Sequence, residues 1–292
     1  MKKRIFIRKK YGRLGNNLYR WAHLIAFARE NGAEVWDLSR TTSQYFRFFP
    51  KLNRKLLPIV AERKCFSMGC GFLQYQIGKV ILKFVRMFNV HRVDNRQGMF
   101  NLSDQAIFGG SETVLLSGFR FEAIDSLAKH ADYVRDLFAP PKHVRVAAEE
   151  FVHRRTAGED LIIAVHIRRG DYANFMGGEY YFDMDVYARV LKSFASEHSD
   201  QKCKFLIFSD DSNLVLDDFA GLDVELSDFT YGRYFDWFLM SKCHYIIAPP
   251  STYSGWASFY GSVPVGRIIC DCSSHLKFRV NSHLDDESSV DV

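Results

Sequence analysis

The sequence predicts an α/β protein whose second half is a doubly wound parallel sheet, and three observations carry that expectation. The chain opens as strand, glycine-rich loop, helix and strand. Beyond residue 141, apolar strand-like runs alternate with segments of helical period. The run Leu161-Ile162-Ile163-Ala164-Val165 is apolar throughout, as expected of a strand buried on both faces.

Taken in order, Ile5-Phe6-Ile7 reads as a strand entering the loop Gly12-Arg13-Leu14-Gly15-Asn16-Asn17. Leu18, Trp21, Ala22, Leu24, Ile25 and Ala28 then recur at helical spacing up to Asn31-Gly32, and Ala33 to Trp36 forms a second strand. Residues 41–110 are rich in Phe and Arg, with a helix expected from Gln74 to Asn89. Its Ile77, Val80, Ile81, Phe84, Val85 and Phe88 share a face, which reads first as core packing and alternatively as an interfacial helix at an anionic membrane. Val114 to Gly118 is a strand and Ile124 to Phe138 one helix, stopped by Pro140-Pro141, which marks the boundary between residues 1–141 and 142–280. In the second part, helices are expected over His143–Arg155, Val186–Glu197, Asp236–Ser241 and Tyr253–Gly261. Strands are expected over Leu161–Val165, Lys204–Phe208, Tyr245–Ala248 and Val265–Ile269. Residues 281–292 read as a frayed polar tail.

Composition fits this picture. The chain has 292 residues, 47% hydrophobic and 25% charged, enough apolar content for a real core. Residues 1–100 carry 21 Lys/Arg against 5 Asp/Glu, a balance of +16, and the remainder carries −11, giving the net +5. A basic first half suits an acidic membrane surface or a polyanionic ligand as well as a plain solvated face. The sequence contains no recognised nucleic-acid module, so no nucleic-acid partner is expected. The six cysteines, Cys65, Cys70, Cys203, Cys243, Cys270 and Cys272, read as reduced. The basic start lacks the apolar run of a signal peptide, and no stretch reaches the length of a spanning helix. The expected location is cytoplasmic, with peripheral contact at the inner face of the membrane through the basic half.

In a doubly wound sheet, ligands sit beyond the carboxyl ends of the strands. That rule nominates the loops after Val165, Phe208 and Ala248. The first holds His166, Arg168, Arg169 and Asp171. Arginine presents a planar fork suited to phosphate oxygens, and Asp171 is expected to hold one arginine and leave the other for a ligand. The plain alternative is an exposed ion-pair cluster. The second, Ser209-Asp210-Asp211, offers either a helix cap or a carboxylate for the N1 and N2 donors of guanine. The third, Pro249-Pro250-Ser251-Thr252-Tyr253-Ser254, offers hydroxyls and helix N-terminal amides to an anion, or simple capping.

The motif His166-Ile167-Arg168-Arg169-Gly170-Asp171 resembles the His-x-Arg-Arg-x-Asp signature of the α1,2-, α1,6- and protein O-fucosyltransferases. Gly12 to Leu18 resembles the Gly-Gly-Leu-Gly-Asn-Gln-Leu start of the α1,2-fucosyltransferases, glycosyltransferase family 11. Phe208 to Asp211, Leu239 to Cys243 and Ser251 to Trp256 resemble three further family segments in the same order, with Gly118 and Arg135 to Phe138 between. The resemblance implies a GT-B-like fold of two Rossmann-like domains, an acceptor-side one over 1–141 and a nucleotide-sugar-binding one over 142–280. It implies an inverting transferase that moves fucose from GDP-fucose to a glycan acceptor, free or lipid-linked, in surface polysaccharide synthesis, with no cofactor and no metal required. On matching positions, Arg168 would stabilise leaving GDP and Asn16 would lie near the reacting centre. His166 with Asp210 or Asp211 would contact guanine, and Ser251, Thr252 and Ser254 would line the pyrophosphate. Arg169 and Asp171 would support them, and Gly12 and Gly15 would shape the first loop. Glu122 is the candidate general base.

The chain departs from the family at Pro249-Pro250, at Gly255 and at Arg120-Phe121, changes that bear on the sugar and the linkage and open two alternatives: the same fold with another nucleotide-sugar donor, or a non-catalytic glycan-binding protein; the basic first half offers a nucleic-acid-binding protein as a further alternative. Asp183-Met184-Asp185 precedes a helix and reads as first-turn acids rather than a metal motif. Gly12 to Gly15 is no dinucleotide fingerprint, and Cys270-Asp271-Cys272 no zinc site.

Overall fold

Short apolar strands alternating with helices build one main sheet in each of two compact units, Met1–Pro141 and Lys142–Val292, and the first unit holds a further two-stranded sheet, Phe100–Asn101 beside Phe121–Glu122. The computed structural model describes residues 3–8, 12–39, 48–49, 51–52, 76, 79–81, 83–84, 90–95, 99–102, 105–118, 120–155, 160–282 and 284.

In the first unit β1 (Arg4–Ile7) leads into α1 (Leu14–Glu30) and β2 (Glu34–Asp37). Then come β3 (His91–Asn95), β4 (Phe100–Asn101), β5 (Thr113–Gly118), β6 (Phe121–Glu122), α2 (Ile124–Lys129) and α3 (Ala131–Leu137). The main sheet has the order β2-β1-β5-β3, all parallel. α1 is buried nearly all round rather than along one stripe, so its polar residues need internal partners. Arg20 donates to Asn17 Oδ1 at 2.9 Å and to the Gly118 carbonyl at 3.2 Å, and sits 3.8 Å from Asp37. His23 Nδ1 accepts the Ala123 N–H at 3.1 Å. Gly118, at φ +121°, lies so close to β3 that a Cβ there would stand 1.8 Å from the Asn95 carbonyl oxygen.

In the second unit α4 (Lys142–His153) precedes β7 (Leu161–Ile167), α5 (Met184–Glu197), β8 (Cys203–Ser209) and β9 (Asp223–Leu226). α6 (Asp236–Met240), β10 (Tyr245–Ala248), α7 (Thr252–Gly261), β11 (Val265–Arg267) and β12 (Phe278–Arg279) complete it. The strand order β12-β11-β10-β7-β8-β9 is parallel except for β12. The chain runs outward from β7 through β8 to β9, then returns to the other side of β7 as β10. The switch point therefore falls at the carboxyl ends of β7 and β10, where such sheets open a crevice. Val165 and Ile167 of β7 pack with Tyr187 and Leu191 of α5 and Phe205 of β8 in one core.

Several expectations need correction. The helix expected over Ile124–Phe138 is two helices, because His130 leaves helical dihedrals (φ −114°, ψ 18°) and shares its N–H between the Ser126 and Leu127 carbonyls. β3, β9 and β12 are not evident from the sequence; each lies at the edge of its sheet, and β3 and β9 carry the polar residues typical of an edge. The tail is not frayed from Asn281: that residue is buried, its N–H donates to Ser258 Oγ at 2.9 Å, and Leu284 is fully buried. Cys270 and Cys272 are paired, their Cα atoms 5.3 Å apart and within bridging range, so these two are not reduced thiols. Cys65 and Cys70 lie outside the described residues, as does much of Gln74–Asn89. The core reading of that segment fails at Val80 and Phe84, which are 55% and 60% exposed. No helix among the described residues is long and apolar enough to cross a membrane.

Candidate functional site

The register of β7 on β8 pairs His166 with Phe208 and Ile167 with Ser209. The two strands thus end side by side, and Asp210 meets the loop that leaves β7. Asp210 Oδ1 accepts the N–H groups of Arg169 and Gly170, each at 3.0 Å. Its Oδ2 lies 3.2 Å from Arg168 Nη1, and Asp171 Oδ1 holds Nη2 of the same arginine at 2.7 Å. Burial alone would raise the Asp210 carboxyl; the two N–H bonds and the Arg168 charge reverse this and hold it below its ordinary value. Gly170 makes this approach feasible, since a Cβ would stand 3.0 Å from Asp210 Oδ2.

The expectation that Asp171 fixes one arginine and leaves the other for a ligand is corrected, because both are held. Arg169 grips the Tyr181 hydroxyl through Nε at 3.1 Å and through Nη2, with Asp211 at 3.6 Å and Asp183 at 3.8 Å. The Tyr181 hydroxyl and these carboxylates raise its pKa further. Asp183 thus meets an arginine, and among the described residues no group of three or more His, Cys, Asp and Glu side chains is arranged to hold a metal ion. Asp211 is also committed: its Oδ1 accepts the Asn213 N–H at 2.9 Å, and its own N–H donates to Ser209 Oγ.

His166 is 5% exposed. Burial, reinforced by Arg168, pushes its pKa down to about 3, so the ring is neutral. Its Nδ1 and the Arg168 Nε are buried and find no hydrogen-bond partner among the described residues. The His166 ring lies 5.6 Å from that of Tyr253, whose hydroxyl accepts the Trp237 N–H at 3.0 Å. Burial raises the Tyr253 pKa, and the charges of Asp236 and Arg168 both reach it. Asp236, the first residue of α6, is half-buried, and burial alone pushes its pKa up to about 7.

The third loop joins the same rim. Tyr172 donates to the Pro250 carbonyl at 2.8 Å and its ring lies 5.4 Å from the Arg168 guanidinium. Ser251 caps α7, its Oγ accepting the Tyr253 N–H at 3.2 Å. Ser254 is fully buried; its hydroxyl donates to the Ser251 carbonyl at 3.3 Å and accepts from Arg267 Nη1 at 2.8 Å. Thr252, half-buried, opens the helix. Thus His166, Arg168, Arg169, Asp171, Asp210, Asp211, Ser251, Thr252 and Ser254 gather at the carboxyl ends of β7, β8 and β10. Gly12, Gly15 and Asn16 belong to the first unit. There Gly12 adopts φ +61°, and a Cβ on it would stand 2.1 Å from Asn16 Nδ2. Gly15 and Asn16 form the first turn of α1, and Glu122 is 7% exposed at the end of β6.

Sequence reasoning missed Tyr172, Asp236 and Arg267. Asp236 entered the sequence reading only as the first residue of a helix. Arg267 carried a signal: a cation at the carboxyl end of an otherwise apolar strand, on the ligand side of the sheet.

The model of glycosyl transferase family 11 matches residues 83–270. No curated protein matches the chain. Among solved structures, the fucosyltransferase NodZ from Bradyrhizobium is 15% identical with a TM-score of 0.55, covering 96% of this chain and 100% of that one. A mutant of Arabidopsis thaliana FUT1 in complex with GDP is 12% identical with a TM-score of 0.56, covering 91% of this chain and 70% of that one. NodZ α-1,6-fucosyltransferase soaked with GDP-fucose gives 15% identity and a TM-score of 0.52, covering 96% and 100%. These likenesses establish the fold: mixed α/β with parallel sheets, GT-B-like, as the sequence motifs implied.

Proposed function

The chain belongs to glycosyl transferase family 11, and from that premise we propose that it is an inverting fucosyltransferase that moves fucose from GDP-fucose to a glycan hydroxyl. One observation carries the reading: Arg168, fixed by Asp171 and Asp210 at the switch point of the second sheet, beside a buried neutral His166 and the N-terminus of α7. The acceptor oxygen forms a bond to the anomeric carbon on the face opposite GDP. The bond from that carbon to the β-phosphate oxygen breaks, and the acceptor proton is lost to a base. Negative charge builds on the β-phosphate, and Arg168 with the α7 amides is set to meet it, which makes a metal unnecessary.

The guanine-accepting carboxylate is reassigned on this reading. Asp210 and Asp211 spend their oxygens on the chain itself, whereas Asp236 is half-buried, raised in pKa and electrostatically linked to Tyr253. An ionised Asp236 suits the N1 and N2 donors of guanine.

The test is GDP release from GDP-fucose, GDP-mannose and UDP-sugars, with acceptor and EDTA present. GDP-fucose turnover is expected, and Arg168→Ala should lose at least about 100-fold, the scale of losing one oxyanion donor. A strict metal requirement or near-normal Arg168→Ala turnover would refute the reading. Preference for a UDP-sugar would mark another donor, and GDP binding without turnover a non-catalytic member. The α1,2 linkage and a surface-polysaccharide acceptor rest on the motif order from Gly12 to Trp256; linkage analysis of the product checks them.

Peripheral contact with an anionic membrane, which suits a lipid-linked acceptor, is favoured by exposed Val80 and Phe84 beside exposed Lys79 and Lys83. Co-sedimentation with phosphatidylglycerol vesicles but not with neutral ones is expected, and equal pelleting with both would remove this element.

A further inference from the structure

We infer that Arg267 is a second phosphate-binding arginine of the nucleotide pocket, acting alongside Arg168; the inference rests on the GDP-sugar reading above and adds a residue to it. The register of β11 on β10 pairs Ala248 with Arg267. Arg267 therefore stands level with the last residue of β10, at the carboxyl edge where the ligand crevice opens. Its Nη1 donates to Ser254 Oγ at 2.8 Å and to the Pro249 carbonyl at 3.3 Å, which anchors the guanidinium beside the N-terminus of α7. Its charge reaches both His166 and Tyr172, the two residues that the Arg168 charge also reaches. Two cations thus act on the same two side chains from different strands.

The chemistry of the loop explains why a second cation belongs here. A loop that holds a diphosphate before a helix works through backbone N–H groups. Pro249 and Pro250 carry none. Arg267, bonded to the Pro249 carbonyl, brings guanidinium N–H donors to that stretch of chain. Charge balance points the same way. Arg168 is bracketed by Asp171 at 2.7 Å and Asp210 at 3.2 Å, which offset much of its charge. The α7 N-terminus adds only roughly half an elementary charge. A diphosphate is polyanionic, and Arg267 brings a second guanidinium to the same rim.

The test compares GDP with guanosine on the full chain by calorimetric titration, using Arg267→Gln and Arg267→Lys. Glutamine keeps a donor for Ser254 and removes the charge; lysine keeps the charge. Arg267→Gln should lose tenfold or more in GDP affinity while guanosine affinity stays within twofold, and Arg267→Lys should recover part of the loss. The dependence of GDP affinity on salt should also weaken in Arg267→Gln, which a purely structural role would not change. Unaltered GDP affinity in Arg267→Gln, or equal losses for GDP and guanosine, overturns the inference. If Arg267→Gln does not fold, Arg267→Lys decides through the same pair of ligands: GDP affinity lowered with guanosine affinity within twofold supports the inference, and equal losses for both, or no loss for either, overturn it. Failure of the unaltered chain to bind GDP would instead refute the donor reading itself.

Discussion

The buried neutral His166 makes a quantitative prediction about acid stability. Its pKa falls from an unfolded value near 6.5 to about 3 in the folded chain. The sign follows from linkage: a histidine depressed by folding contributes stability that is present above its unfolded pKa and is lost as pH falls from about 6.5 towards about 3. At pH 5 the unfolded ring is protonated and the folded ring is not, which costs about 2 kcal/mol relative to pH 8. That figure is insensitive to the folded value, because any folded pKa below about 4 gives nearly the same difference at pH 5. For a unit of this size it corresponds to roughly 4–8 °C in Tm. The assay is unfolding of the wild type and of His166→Gln at pH 8 and pH 5. Glutamine carries no proton over this range, so any fixed packing loss cancels in the pH difference, as do the titrations of other groups. The wild type should lose about 2 kcal/mol more than the variant between the two pH values. Equal acid sensitivity would show that His166 is solvated or that it protonates in the folded state, and the reasoning would fail.

The remaining predictions concern two other positions. Asp236 is pushed up to about 7 by burial; its protonated form is favoured by folding, so the stability it contributes is full below about pH 4 and is lost as pH rises through 7. Asp236→Asn should therefore be more stable than the wild type at pH 8, by at most about 4 kcal/mol, and no more stable at pH 4. The same variant should bind GDP more weakly at pH 8, and wild-type GDP affinity should fall between pH 8 and pH 6 while that of the variant stays flat; a flat wild-type profile would remove Asp236 from the guanine site. Gly118→Ala should destabilise the first unit by about 2 kcal/mol or more, from the strain of φ +121° and the clash with the Asn95 carbonyl. Urea unfolding measures it, and a neutral result would mean that β3 and β5 can separate at no cost.

What was legible in the sequence was whatever depended on local apolar pattern. β7 is apolar from Leu161 to Val165 and β10 from Tyr245 to Ala248, so their positions followed from hydrophobicity, and the loops after them followed from the parallel-sheet rule. Edge strands were illegible because they need apolar residues on less of their surface: Asp223-Val224-Glu225-Leu226 looks like a loop until it pairs with β8. Within the site, residue types were legible and partnerships were not. Asp210 and Asp211 read as carboxylates for a ligand because nothing in the sequence shows that Asp210 reaches back across 40 residues to the N–H of Gly170. Asp236 and Arg267 were overlooked for the converse reason: their neighbours in sequence are ordinary, and only the fold sets them beside Tyr253 and Ser254.

The carboxylates and arginines of the site are arranged for rigidity before any ligand arrives. Asp210 binds one arginine through Oδ2 and the backbone of the next two residues through Oδ1, so the orientation of Arg168 is tied to the path of its own loop. Arg169 ties that loop to Tyr181. A guanidinium held in this way cannot swing to follow its ligand; it acts on charge that develops where it already points, which is the condition for stabilising a leaving diphosphate without reorganisation. Neutral His166 belongs to the same logic. A protonated ring beside Arg168 would repel it and would face a burial cost of its own, so the site gains a buried polar group without adding a like charge. The site therefore carries its positive charge on Arg168 and Arg169, each set against carboxylates, and His166 adds none to it.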